Sequence, residues 1–396
     1  MRAASLRADF SLSAAVAGLI ALVATFSGPV LIVVQASRAG HLDEAQLSTW
    51  IWALSVGAAV LGLWYSLRHR VPVIGAWSTP GVALLISGLA QYPFSEVIGC
   101  YLVLSVLVAW LGASGLFGRL LAHLPTHLLS AMIAGVLFQF CTRIFQSLQS
   151  APWLIAPIVG AYLLGRRLIP RYAVAIALLV GLVTALAVTP LSLARLDLRL
   201  VQPVLTWPTF SAEALLGLGL PLFLLALTQY ATGLTVLRQA GYTVSDRSLV
   251  GLSGLISVPL TLFGSSGINP AAIVAAICAS PECHPDERRR YVSGVVCAVG
   301  YLCVGVFGSS VVVLFGLLPP GMIATLAGLA LLGTLVGSLS GCLADEKGRE
   351  AACITFAVTV SGMSFFGLGS ALWGLIAGLV FTAVQTFRLR PAAAAR

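Results

Sequence analysis

The sequence predicts an all-helical polytopic membrane protein of about fourteen transmembrane segments, arranged as two inverted seven-segment repeats. Three observations carry that prediction. Uncharged runs of about 20 residues recur from end to end, each long enough to cross the hydrocarbon core of a bilayer. Only 9% of the 396 residues are charged, against about 25% in a soluble domain. The basic residues alternate as well. With a cytoplasmic N-terminus, 18 of the 22 Lys and Arg fall in inside loops and only Arg38, Arg143, Arg195 and Arg199 fall outside, as the excess of positive charge on cytoplasmic loops requires.

Turn residues and charge clusters delimit the segments at roughly 11–37, 48–67, 71–90, 94–116, 126–147, 151–167 and 171–190 in the first half. In the second half they fall at roughly 212–238, 248–264, 267–280, 290–315, 319–339, 349–365 and 367–388. The first run is too long for a signal-peptide core and no small-residue cleavage site follows it, so it reads as a retained helix. The longest polar connection, 191–211, is placed outside and divides the chain into repeats 1–190 and 212–396. Seven is odd, so the second repeat starts from the opposite side of the membrane, which is the condition for an inverted repeat. A weak internal match agrees: ATFSGPVLIVVQA (Ala24 to Ala36) resembles LTQYATGLTVLRQA (Leu227 to Ala240).

Several functions are excluded at this level. The formal charge of +9 sits in short loops between apolar runs, so membrane lipid rather than nucleic acid is the expected surrounding. The eight cysteines are scattered, with no CxxC or Cys/His spacing, so no metal, disulfide or cofactor is expected. No Ser/His/Asp, HExxH or paired-carboxylate pattern falls at membrane depth, which argues against an enzyme.

The third and tenth segments carry the sharper signal. AWSTPG (Ala76 to Gly81) and GINPAA (Gly267 to Ala272) each put a helix breaker in mid-segment. Pro disfavours helix in the residue before it and suits the first turn of a helix. Thr79-Pro80 and Asn269-Pro270 therefore read as N-cap plus first helical residue, with half-helices running to about Ala90 and Ser280. Opposite directions of travel aim both N-termini at the membrane centre, where free amides of Gly81, Val82, Ala271 and Ala272 await an anionic or strongly polar ligand. The plain alternative is that each Pro merely kinks a packed helix.

Segment eight adds Thr228, Gln229 and Tyr230 near its centre, and segment one adds Phe26 and Ser27 at the matching place. Gln229 reads either as a bond to a neighbouring helix or as a substrate contact. Phe26, Trp77 and Tyr230 read as an aromatic wall or as ordinary packing. No Asp, Glu, Lys, Arg or His falls at mid-depth, whereas proton-coupled carriers often keep one there. Glu96 and Glu213 lie near outer ends, and the five histidines lie in or beside loops. The run PECHPDERRRY (Pro281 to Tyr291) reads as a topology anchor with local ion pairs.

At these residues the chain resembles the benzoate/proton symporter family of bacterial inner-membrane carriers. The carrying stretches are PVIGAWSTPGVALL (Pro72 to Leu85), INPAAIVAAICASPECHPDERRRYVSG (Ile268 to Gly294), LLPPGMIATLAGLALLG (Leu317 to Gly333) and FFGLGSALWGLIAG (Phe365 to Gly378). The resemblance implies the uracil-permease fold, with a core domain from segments 1–4 and 8–11 and a gate domain from segments 5–7 and 12–14. It implies a substrate site of Trp77, Ser78, Thr79 and Gly81, with Gln229 and Tyr230, and with Asn269, Pro270 and Ala271; Phe26, Ser27 and Gly267 flank it. It also implies alternating-access uptake of benzoate or a similar small organic anion, coupled to protons, with both termini cytoplasmic. Carriers of nucleobases with that fold typically place acidic residues in the eighth and tenth helices, where this chain has Gln229 and Asn269, a departure that suits an anionic substrate. An anion channel is the rival reading, and the oligomeric state stays open, with a homodimer as one option.

Overall fold

Long uncharged runs become helices because a chain surrounded by lipid must satisfy every backbone polar group from within the segment. The computed structural model describes residues 6, 8–188, 200–281, 283–316, 318–366 and 368–386. Arg2, Arg7, Arg195, Arg199, Arg388, Arg390 and Arg396 lie outside the described residues, as do residues 191–199 of the expected 191–211 connection.

Helix α1 (Leu12–Ala39) starts at Ser11, whose hydroxyl accepts the Ala14 amide at 3.2 Å, and carries Pro29 within it. Helix α2 (Glu44–His69) opens with a capping box, in which Asp43 and Gln46 satisfy each other's amides, and closes on Arg70 in the left-handed conformation. A two-residue strand β1 (Gly75–Ala76) then precedes α3 (Thr79–Gly88), followed by α4 (Phe94–Ser114), the short α5 (Phe117–Ala122), α6 (Thr126–Ser150), α7 (Pro152–Leu168) and α8 (Ala173–Val188). In the second half α9 runs over Ala212–Gln239, with a wide π turn at Leu215–Gly219. There follow α10 (Asp246–Thr261), strand β2 (Asn269–Pro270), α11 (Ala272–Cys278), α12 (Tyr291–Val306), α13 (Gly308–Gly316), α14 (Pro320–Leu343), α15 (Arg349–Val360) and α16 (Ser370–Thr386). The eleventh apolar run is thus two helices rather than one, parted at Phe307, which leaves helical geometry just before Gly308.

Seven helices among the described residues are long and apolar enough to cross a membrane: α1, α2, α4, α6, α9, Glu287–Val306 and Gly321–Leu343. The helices pack in matched sets. The pairs α4 with α10 and α2 with α12, α7 with α8 and α15 with α16, and α1 with α3 and α9 with α11 are each the same pair of positions counted from the start of either half. The densest pair, α6 with α14, is its own match. A large core runs through these contacts, from Leu31 and Trp50 to Tyr101, Leu128 and Tyr301, with a smaller cluster of Ala14, Ala17, Cys283, Tyr291 and Val292 apart from it.

Candidate functional site

The two broken segments meet. β1 and β2 pair antiparallel, with Gly75 opposite Pro270 and Ala76 opposite Asn269, and the Ala271 amide donates to the Ile74 carbonyl at 2.8 Å. Two glycines let neighbouring helices come this close. A Cβ on Gly75 would stand 2.8 Å from the Ala58 Cα on α2, and a Cβ on Gly233 of α9 would stand 2.7 Å from the Pro270 carbonyl oxygen. Ile268 is clamped on both sides: its amide donates to Ser257 Oγ at 3.0 Å and its carbonyl accepts from the Tyr230 hydroxyl at 2.7 Å. Gly267 supplies the turn into β2 at φ +92°, a conformation that favours glycine.

The cap positions differ from those expected. Ser78, not Thr79, caps α3, with its hydroxyl accepting the Gly81 amide at 3.1 Å and its carbonyl accepting the Val82 amide at 2.9 Å. Asn269 lies in the strand, and Ala271, which precedes α11, gives it no side-chain cap. The amides of Gly81, Val82 and Ala271 are therefore engaged within the protein and are not free for a ligand. A helix start buried away from water takes the first acceptor within reach, here Ser78 and Ile74.

The aromatic wall also differs in membership. Phe26 and Trp77 meet edge to face at 6.1 Å, but the third ring is Tyr301 of α12, at 6.0 Å from Trp77 and 6.5 Å from Phe26. Tyr230 instead packs on Phe117 at 6.3 Å and spends its hydroxyl on Ile268. The Tyr301 hydroxyl donates to Thr25 Oγ1 at 2.7 Å, and Thr25 donates in turn to the Ala21 carbonyl at 2.7 Å, so the wall is tied to α1.

Against that wall, Trp77 is 4% exposed and its indole Nε1–H finds no acceptor among the described residues. Asn269, 6% exposed, has no side-chain hydrogen bond among the described residues, and neither have the half-buried Ser27 and Gln229. The structure thus brings Phe26, Trp77, Ser78, Asn269 and Pro270 together at one ladder, with Tyr230 and Gln229 beside it on α9. Unspent donors remain on Trp77, Asn269 and Gln229, and no carboxylate belongs to that set. This arrangement can bind a small molecule having a flat apolar body and a hydrogen-bond-accepting group.

Sequence reasoning missed Tyr301, although CYLV (Cys100 to Val103) and GYLC (Gly300 to Cys303) repeat at matching places in the two halves. It also gave Arg290 only an anchoring role. Arg290 is 5% exposed and donates to the carbonyls of Ala279 and His284, both at 2.7 Å, stapling the chain just past α11. Nearby, Asp9 lies 3.6 Å from Arg70 and 3.7 Å from Arg289, and accepts from the Tyr291 hydroxyl at 2.9 Å.

Residues 8–384 match the family described as Benzoate membrane transport protein. The chain belongs to that family. It is accordingly a multi-pass membrane transport protein rather than an enzyme. Within the benzoate transport family it is 35% identical over 377 residues to the "Benzoate membrane transport protein" of Acinetobacter baylyi, covering 95% of this chain and 96% of that one. It is 39% identical over 363 residues to the "Inner membrane protein YdcO" of Escherichia coli, covering 91% of this chain and 93% of that one. Its fold is that of the transmembrane domain of the cyanobacterial bicarbonate transporter BicA, with a TM-score of 0.59 at 17% identity, covering 93% of this chain and 97% of that one. Murine Slc26a9, an anion transporter solved in the inward-facing state, is similar at a TM-score of 0.62 and 13% identity, covering 95% of this chain and 68% of that one.

Proposed function

We propose that this protein takes up benzoate or a similar aromatic monocarboxylate across a bacterial inner membrane, holding it where the two broken segments meet. The observation that carries the reading is the β1–β2 ladder, which joins the strand of Asn269 to the segment of Trp77, whose unpartnered indole N–H lies beside the edge-on rings of Phe26 and Tyr301. The carboxylate accepts from Trp77, Asn269 and Gln229, and the ring lies against the aromatic wall. The N-terminal ends of α3 and α11 add a favourable dipole for an anion even with their first amides engaged. Buried donors that lack partners raise the free energy of the empty site by about 1–3 kcal/mol each, so a ligand that satisfies them gains affinity and selectivity together.

The matched packing pairs support two inverted repeats; with fourteen crossings, the alternation of basic residues in the sequence supports termini on the cytoplasmic side. In this reading α1–α4 and α9–α12 form a core that moves against a gate of α6–α8 and α14–α16, giving alternating access, and protons are the coupling ion. Uptake of labelled benzoate into proteoliposomes tests it. Saturable uptake with counterflow, stimulated by an inward acid gradient, is expected; flux that never saturates indicates an anion channel instead.

A further inference from the structure

At the end of α3 away from the ladder, a cavity of about 100 Å³ separates α3 and the π turn of α9 from α6, α15 and α16. That is several times the roughly 10–15 Å³ that one water occupies on this measure. Leu84, Phe140 and Leu218 form an apolar flank, while Gln91 and Gln139 bring amides to it. Gln139 spends one N–H on the Val360 carbonyl at 2.6 Å and keeps the other; Gln91 has no side-chain hydrogen bond among the described residues.

Charge is distributed unequally around this space. The Arg143 guanidinium lies over the Phe140 ring, 5.4 Å from its centroid. On the α3 side, Tyr92 has its phenol pKa raised by burial first and then by the negative charge of Glu213 and, more weakly, Glu96. Such a space fits an amphiphilic anion with its ring on Phe140 and Leu218 and its carboxylate toward the Gln91 and Gln139 amides, while Arg143 and the two glutamates, outside the lining, act on it through their field.

We propose that this cavity is a second binding site for the transported aromatic carboxylate, a loading site separate from the ladder. It rests on the substrate class inferred above. At about 1.5 Å of rise per residue, the run of α3 from Thr79 to Leu84 puts about 8 Å of helix between the ladder end of α3 and the cavity. Its walls come from both the proposed core and the proposed gate, so an occupant bridges the two moving parts.

Equilibrium dialysis of labelled benzoate against the purified full-length protein in nanodiscs tests the idea, alongside uptake kinetics. Two equivalents per chain are expected for the parent. Ser87→Phe, on the cavity rim, should bind one equivalent, and Trp77→Ala should lose the other. In proteoliposomes Ser87→Phe and Arg143→Gln should each raise KM about 3-fold to 10-fold with kcat little changed. The Arg143→Gln effect should fade at high salt, because an exposed guanidinium acts through a screened field. A purely structural role would instead lower thermal stability and would not respond to salt. A parent that binds one equivalent, lost in Trp77→Ala, with Ser87→Phe and Arg143→Gln kinetically unchanged, removes the loading site and leaves the ladder site standing. A parent that binds no aromatic carboxylate removes both.

Discussion

The two broken segments occupy matching places in the two halves, yet they are built differently. The stretch before β1 is Val71-Pro72-Val73-Ile74, and α3 behind it has ten residues and its own cap in Ser78. The stretch before β2 is Ser265-Ser266-Gly267-Ile268, and α11 has seven residues and no side-chain cap. The first is held by its own sequence. The second is held by neighbours: Tyr230 and Ser257 on Ile268, Ile74 on the Ala271 amide, and Arg290 on the carbonyls beyond α11. The Ser265 and Ser266 hydroxyls are buried without partners among the described residues, whereas the corresponding stretch before β1 has no side-chain polar groups to satisfy. A segment that depends on bonds from other helices moves when those helices move. The first broken segment therefore keeps its shape by local contacts, whereas the second keeps its shape only while α9, α10 and Arg290 hold it.

Substitutions sharpen that contrast, and the largest effect is steric. Gly75→Val forces a side chain into the Ala58 backbone, which cannot rotate away, and should cost at least about 3 kcal/mol. Loss of the monodisperse, folded protein in size-exclusion chromatography is the expected result; normal yield and melting temperature would mean that β1 is not packed on α2 as described. Next, Tyr230→Phe leaves the buried Ile268 carbonyl without its donor and should cost about 1–3 kcal/mol. Hydrogen exchange should then rise around β2 and α11 while α3 stays protected. Equal loosening of both segments would break the distinction. The smallest effect belongs to Ser78→Ala, which removes a local cap worth about 0.5–2 kcal/mol, and its hydrogen-exchange signature should stay confined to the first turn of α3.

The membrane class was legible because composition and charge alternation act along the whole chain, and the breakers at Thr79-Pro80 and Asn269-Pro270 marked where the helices are interrupted. The cap was misplaced by one residue because Ser78 and Thr79 are both good caps and Pro80 suits either the first or the second position of the helix. In sequence Tyr230 fits either the aromatic wall or ordinary packing, because position along a helix says nothing about its rotation. In the structure that rotation turns Tyr230 toward Ile268 and leaves the wall to Tyr301. The ladder itself was not legible, since two paired residues leave no periodic trace in sequence. Gln229 remains the side chain whose role depends most on a ligand: half-buried and without a bond, it should lose little stability as Gln229→Ala but weaken benzoate binding roughly 5-fold to 150-fold.

The central claim is that an aromatic carboxylate completes the unspent donors at the ladder, and Trp77 offers the most direct test because Trp77→Phe removes its N–H while keeping an aromatic ring. Trp77→Phe keeps an aromatic edge against Phe26 and Tyr301 and deletes a buried donor that has no protein partner. Isothermal titration of benzoate into the purified parent and into Trp77→Phe, with melting temperatures recorded for both, measures it directly. The account predicts only a modest change of melting temperature without ligand, since loss of an unsatisfied donor offsets part of the cost of the smaller ring, together with benzoate affinity at the ladder weaker by roughly 5-fold or more. Equal affinity in a stable Trp77→Phe protein would contradict it.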